Sequence, residues 1–378
     1  MSRFRFLLMA GVTLICGSTP SRAVNGTLLT GYGSKASGMG GASIALPQDA
    51  IAAANNPAGM ALVGTRCDAD LQFFNLHSSN VYDGARHHGS NFVGFPEIGC
   101  NQALSSKVTI GMSTAGNGGG FRYSSSLFPN ITGSHTNTLL LSVAALPTIT
   151  YRPKEHLVVG ASFAGGFQMF RLRSFAGLPH HGWDGWNAAF GSGWRLGALW
   201  QPTTFLSFGA SYASKVRFGR FKGYAGDLLA PVDGKLDTLA QAGAGIAITP
   251  RQGLTLAFDY LHVDWQDTQY HELFGYRSQN VLRAGISDEF GENLTLRTGV
   301  SLTRRPFSRD FVAQNITFPG FTSKAITAGA SHKLGTQSDV SVSVEDDLGG
   351  RYVGTGPSDR SSIHPHFQIF SIGWGHHF

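Results

Sequence analysis

The chain closes on Pro365-His-Phe-Gln-Ile-Phe-Ser-Ile-Gly-Trp-Gly-His-His-Phe378, and this stretch decides how the rest is read. Counted back from Phe378, alternate positions are His376, Trp374, Ile372, Phe370 and Gln368; between them lie His377, Gly375, Gly373, Ser371 and Ile369. One set is mostly bulky and apolar, the other mostly small or polar. That is the period of a strand whose two faces meet different surroundings. An aromatic last residue on such a strand fits the closing strand of a bacterial outer-membrane barrel, with Phe378 the point that barrel-assembly machinery would engage.

The opposite end supplies the route to that compartment. Arg3 and Arg5 precede an apolar run from Phe6 to Cys16, and Ser21-Arg-Ala23 follows, so residues 1–23 read as a secretory signal peptide cut after Ala23. The run is too short to span a bilayer as a helix, and no later stretch is long enough. Ile15 before Cys16 is the wrong size for lipoprotein processing. Losing Arg3, Arg5 and Arg22 lowers the formal charge from +6 to +3, which argues against a nucleic-acid partner. Only 14% of residues are charged, against about a quarter in soluble domains, while mean hydropathy stays near zero at −0.04. Apolar residues are therefore dispersed, as alternation requires. Cys67 and Cys100 remain after processing. They fall near one end of an expected first hairpin and can pair in an oxidising periplasm, or stay as two buried thiols.

Alternation recurs from about residue 65 to the end. Leu294, Leu296, Val300 and Leu302 share one face against Thr295, Arg297, Gly299, Ser301 and Thr303; Val340, Val342 and Val344 oppose Ser341, Ser343 and Glu345. Leu206, Phe208, Ala210 and Tyr212 oppose Ser207, Gly209, Ser211, Lys215 and Arg217. Short turns are expected at Leu104–Ser106, Pro153–Glu155, Pro202–Thr204, Pro250–Gly253, Phe290–Asn293 and Gly335–Gln337. Longer loops are expected near residues 80–90, 117–136, 176–190, 222–235, 268–278, 304–322 and 347–364. Short and long connections alternate, as do periplasmic turns and extracellular loops. The expectation is an all-β, transmembrane antiparallel β-barrel of about fourteen strands over residues 65–378. A barrel of that girth cannot fill its bore with wall side chains. Residues 24–64, rich in Gly, Ala and Ser, are the expected hatch, or plug, within it.

The hatch segment contains Gly38-Met-Gly-Gly-Ala42, Asp49-Ala50 and Asn56-Pro57-Ala58; further on come Leu146-Pro-Thr-Ile-Thr-Tyr151, Ser174-Phe-Ala-Gly177, Leu196-Gly-Ala-Leu-Trp-Gln-Pro202 and Leu294-Thr-Leu-Arg297. In this order, over residues 24–378, the set resembles the FadL-type outer-membrane porins that transport long-chain fatty acids and other hydrophobic compounds. The resemblance implies capture of a hydrophobic molecule at extracellular loops, an interior pocket, and a lateral exit beside a kinked third strand. It implies a gate at Asn56, Pro57 and Ala58, where an isolated Asn-Pro would be a mere helix stop. The chain departs from the pattern at Ser174, where members often carry Arg, and at Gly116-Asn-Gly-Gly-Gly120 in the third strand.

Candidate binding residues follow from the cargo. A carboxylate head would be held by a guanidinium, and Arg195, Lys215, Arg217, Arg283, Arg297 and Lys333 point inward by parity. Arg171, Arg173 and Arg297 are the first choices, with Lys215 beside them; the alternative is that lumen cations pair with inward acids such as Asp259 and Glu345. Trp183, Trp186, Leu228 and Leu229, with Phe121, Tyr123 and Tyr224, are candidates for a loop groove or for an interfacial girdle. The pairs His87-His88, His180-His181 and His376-His377 lack carboxylate or thiol companions and do not read as a metal site. No cofactor and no catalytic residue is expected. The rival cargo is an aromatic hydrocarbon or solvent; the rival class is an outer-membrane lipid hydrolase. Outer-membrane lipid and lipopolysaccharide are the expected surroundings.

Overall fold

The structure is a computed structural model that describes residues 28–128, 135–173, 185–226, 228–321 and 323–378. The signal peptide, Ser174–Gly177, His180-His181 and Trp183 lie outside them.

Fourteen long strands form the wall: β1 (Arg66–Tyr82), β2 (Ala85–Ala103), β3 (Val108–Gly119), β4 (Asn137–Lys154), β5 (Leu157–Arg173), β6 (Asn187–Thr203), β7 (Leu206–Ala213), β8 (Ala240–Arg251), β9 (Leu254–Asp264), β10 (Gln279–Phe290), β11 (Leu294–Thr303), β12 (Lys324–Leu334), β13 (Ser338–Asp347) and β14 (Pro365–His377). Neighbours in sequence pair antiparallel, and β14 pairs back onto β1 from Arg66↔His377 to Ser78↔Pro365. The sheet closes on itself, so β1 and β14 leave no free edge to solvate in hydrocarbon.

Parity sets the two faces. Phe163 (57% exposed), Leu196, Leu282, Val342, Ile372 and Trp374 all turn outward, whereas Gly160, Ser162, Ser343 and Ser371 turn in and are buried. Bulky residues outside and small or polar ones inside reverse the order of a soluble protein and match a wall immersed in lipid. Parity fails at strand ends such as these. β7 ends at Ala213, and after three irregular residues Arg217 is exposed and Phe218 buried, opposite to the expectation. Lys333, at the turn end of β12, is likewise exposed rather than inward. Residues 80–90 form no long loop: β1 and β2 run through them around Asp83-Gly84, both at positive φ (46° and 83°). A two-residue turn of that backbone matches the strand twist. Cys67 and Cys100 face each other in register on this hairpin and are joined as a disulfide.

The N-terminal segment, residues 28–65, contacts strands all round the barrel and is buried among them. It carries one turn of helix, α1 (Ser34–Ser37), and two 3-10 turns, Ala50–Ala54 and Pro57–Leu62. Its amides are met by wall acceptors: Gly33 N donates to Glu97 Oε2 (2.8 Å), Ser34 N to Asp70 Oδ1 (3.1 Å) and Gly40 N to Thr327 Oγ1 (2.9 Å). Ser43 N and Ile44 N both donate to Asp259 Oδ2 (2.7 and 3.0 Å), and Ala50 N to Asp68 Oδ2 (2.8 Å). Buried amides need such partners, which accounts for Asp70, Glu97 and Asp259 in the bore, while Asp68 also pairs with Arg66 (2.6 Å). Asp259 therefore holds backbone, and Glu345 accepts from Thr30 Oγ1 at 2.5 Å.

Candidate ligand cavity and lateral gap

Above the N-terminal segment lies a cavity of about 240 Å³. Leu28, Leu29 and Thr30 form its floor. Its wall comes from inward positions of distant strands, among them Phe74, Leu140, Phe170, Leu172 and Phe367. Loop residues roof it: Leu228, Leu229, Thr317 and Phe318, together with one face of the short helix α2 (Gln269–Phe274). Tyr270, Leu273 and Phe274 of α2 stand at i, i+3 and i+4, so all three reach the cavity. T-shaped ring contacts brace the roof: Trp265 lies 5.2 Å from Tyr270 and 4.9 Å from Tyr276. Burial pushes the phenols of Tyr270 and Tyr276 far above their ordinary range, so both stay neutral. Thr30, Gln314 and Thr317 add polar atoms, and Asp347 adds a carboxyl; among the described residues no Lys, Arg or His lines the cavity.

The basic candidates lie elsewhere. Arg171 and Arg173 share the outward face of β5 with Phe163 and Phe167, while Phe170 and Leu172 between them line the cavity. Arg171 stacks on Trp186, 4.6 Å from the ring centroid. Arg297 is buried against the N-terminal segment, donating from Nε to Gln48 Oε1 (2.8 Å) and from Nη1 to Ser331 Oγ (2.6 Å). Lys215 pairs with Asp267 on the neighbouring loop. Arg195 donates to Ala54 O and Arg283 to Gly41 O (3.3 Å); both border a small crevice below the cavity floor. Leu228 and Leu229 do line the cavity, as does Phe121, whereas Tyr123 and Tyr224 are buried beside it. Asn56 caps the Pro57–Leu62 turn by accepting from Ala58 N (3.1 Å), and its Nδ2 donates to Ile44 O (2.8 Å) and Ala198 O (3.2 Å).

The cavity abuts a break in the wall. β3 pairs with β2 only from Thr109↔Ala103 to Ser113↔Gly99, yet its ladder to β4 continues to Gly119↔Leu140. β2 finds a partner again at Ser90↔Arg122. Across the gap, side chains replace the ladder: Ile98 N donates to Thr114 Oγ1 (2.9 Å) and Asn91 Nδ2 to Gly120 O (3.2 Å). Phe95, an inward residue of β2, rests over Gly116, which has outward parity; a Cβ on Gly116 would lie 3.2 Å from its ring. Such a contact requires β3 to have moved inside β2. Gly118 permits the bend with φ of 131°, a backbone L-residues avoid. Gly118, Gly119 and Gly120 border both gap and cavity.

The cavity residues missed in the sequence come from segments far apart in the chain. The spacing of Tyr270, Leu273 and Phe274 is the one local signal that marks some of them.

No protein-family model and no curated protein matches this sequence. Solved structures do resemble it. A Pseudomonas aeruginosa FadL homologue superposes with TM-score 0.71 at 14% identity, over 94% of this chain and 100% of that one. The Pseudomonas putida toluene transporter TodX gives 0.73 at 18% identity, over 94% and 100%. The Ralstonia pickettii toluene transporter TbuX gives 0.68 at 18% identity, over 93% and 99%. The chain has the closed fourteen-stranded barrel fold of the FadL-type channels.

Proposed function

We propose that this protein is an outer-membrane channel, not an enzyme, and that it passes neutral hydrophobic molecules inward by diffusion. The observation that carries the cargo class is the cavity lining. Its surface is almost wholly aliphatic and aromatic, and among the described residues no Lys, Arg or His lines it. A carboxylate ligand would enter a low-dielectric site whose described lining offers no cation to pair with it, which costs free energy. A hydrocarbon, arene or long-chain alcohol meets no such penalty, and burying it is favourable in proportion to its area.

Loop residues Leu228, Leu229, Leu273 and Phe274 admit the molecule, the cavity holds it, and the β2–β3 gap releases it sideways into the bilayer. The N-terminal segment is the hatch that stops it from falling straight through, with Asn56, Pro57 and Ala58 fixing that hatch to β6. FadL-like and toluene-transporter folds support the role by likeness of architecture.

The test is binding to the purified barrel of paired ligands of equal chain length, dodecanol and dodecanoate, by calorimetry. The alcohol is expected to bind at least about tenfold more tightly. Tighter binding of dodecanoate would overturn the neutral-cargo reading in favour of a fatty acid. Leu140→Trp, which fills the cavity, is expected to abolish binding of both.

A further inference from the structure

On the outer wall, next to the extracellular end of the gap, six basic residues face one groove of about 570 Å³: His77, His88, His135, His364, His366 and Arg122. All six are exposed. His77 on β1 lies directly opposite His366 on β14 and Ser90 on β2, and Ser90 lies opposite Arg122. Parity places them in line with the lipid-facing belt, for His77, His88 and His366 stand four residues from the outward Phe73, Phe92 and Phe370. Phe73 and Phe92 stack with centroids 5.5 Å apart. The wall thus changes within about four residues from aromatic hydrocarbon surface to an imidazole and guanidinium cluster.

We propose that this groove binds the phosphate of an outer-leaflet lipid, whose acyl chains lie on Phe73, Phe92 and Phe370. The proposal rests on the membrane reading above but not on the cargo. A metal is the weaker occupant, because no three of the described His, Cys, Asp or Glu residues converge as ligands. A spread array of donors suits a multi-oxygen anion instead. A lipid, not free phosphate, fits because the groove continues into apolar wall that only an acyl chain would cover. The groups facing the array are few. Asp346 Oδ1 accepts from His366 Nε2 (2.8 Å), Asn75 Oδ1 is paired with His77 Nε2 (2.9 Å), and Arg86 precedes His88 on the same face. One acid faces an array of imidazole and guanidinium N–H donors, an arrangement that suits an anion.

The experiment uses the full barrel in mild detergent, with bound lipid counted by native mass spectrometry. The probes are diphosphorylated lipid A, the same lipid enzymatically dephosphorylated, and inorganic phosphate. Wild type is expected to hold the phosphorylated lipid about tenfold more tightly than the His77→Gln/His88→Gln/Arg122→Gln/His366→Gln variant. Equal retention by both proteins, equal retention of the dephosphorylated lipid, or a preference for inorganic phosphate would each overturn the site. Arg122→Gln alone provides a second reading if the fourfold variant does not fold. Dodecanol binding, measured on the same samples, separates loss of this site from loss of the channel reading.

Discussion

At the scale of single residues, period-2 parity carries most of the information. It places Phe163 outside and Ser162 inside from the sequence alone, and it fails at Arg217 because β7 has already ended. It also removes Arg171 and Arg173 from the cavity, since their neighbours Phe170 and Leu172 take the inward places. Wall glycines record a different demand. Gly299 on β11 lies against the backbone of Met39 and Gly40, so a Cβ there would overlap the N-terminal segment. Gly299→Ala is therefore expected to weaken docking of that segment by about 1–3 kcal/mol, the cost of overpacking a filled site. Limited proteolysis should cut within residues 28–65 faster, while the barrel keeps its heat-modifiable migration. Gly226→Ala, with nothing near its Cβ position, is the control and should match wild type. Protection unchanged in Gly299→Ala would refute the close approach.

At the scale of elements, turns and strands were legible because short turns alternate with long loops. The exception, residues 80–90, contains polar loop-like residues, yet Asp83-Gly84 makes a tight hairpin there. The kink in β3 was visible only as a run of glycines; its direction follows from Phe95 resting on Gly116. A Cβ on Gly116 would lie 3.7 Å from the Phe95 Cβ, close to the mean separation across a disulfide. Phe95→Cys/Gly116→Cys is expected to form a bridge that pins β3 to β2 beside the gap. If cargo leaves through the gap, oxidation should stop dodecanol delivery into cells and reductant should restore it. Phe95→Cys alone should be indifferent to oxidant. Full delivery by the oxidised double variant would place the exit elsewhere.

At the scale of the whole molecule, the sequence revealed a barrel but not its cavity, because that surface joins residues 28–30, 74–76, 140, 170–172, 270–276 and 367–369. Nothing local ties these segments together; closure of the sheet does, when Arg66 to Ser78 meets Pro365 to His377. The same closure puts apolar side chains on the outside, and this arrangement is tenable only in hydrocarbon. Leu196 stands midway along the outward row of β6 that runs from Phe190 to Trp200 and is 48% exposed, whereas Thr204 lies in the following turn. On a water-facing surface, Leu196→Arg would change stability by no more than about 0.5 kcal/mol. In a bilayer the same change near the midplane costs about 2–4 kcal/mol, and Thr204→Arg near the interface about 0–1 kcal/mol. Equilibrium folding into phosphatidylcholine vesicles, followed by tryptophan fluorescence, measures both. A depth-dependent difference of about 2 kcal/mol or more between the two variants is expected. Equal costs would mean that this wall does not face lipid, and the channel reading would fall with it.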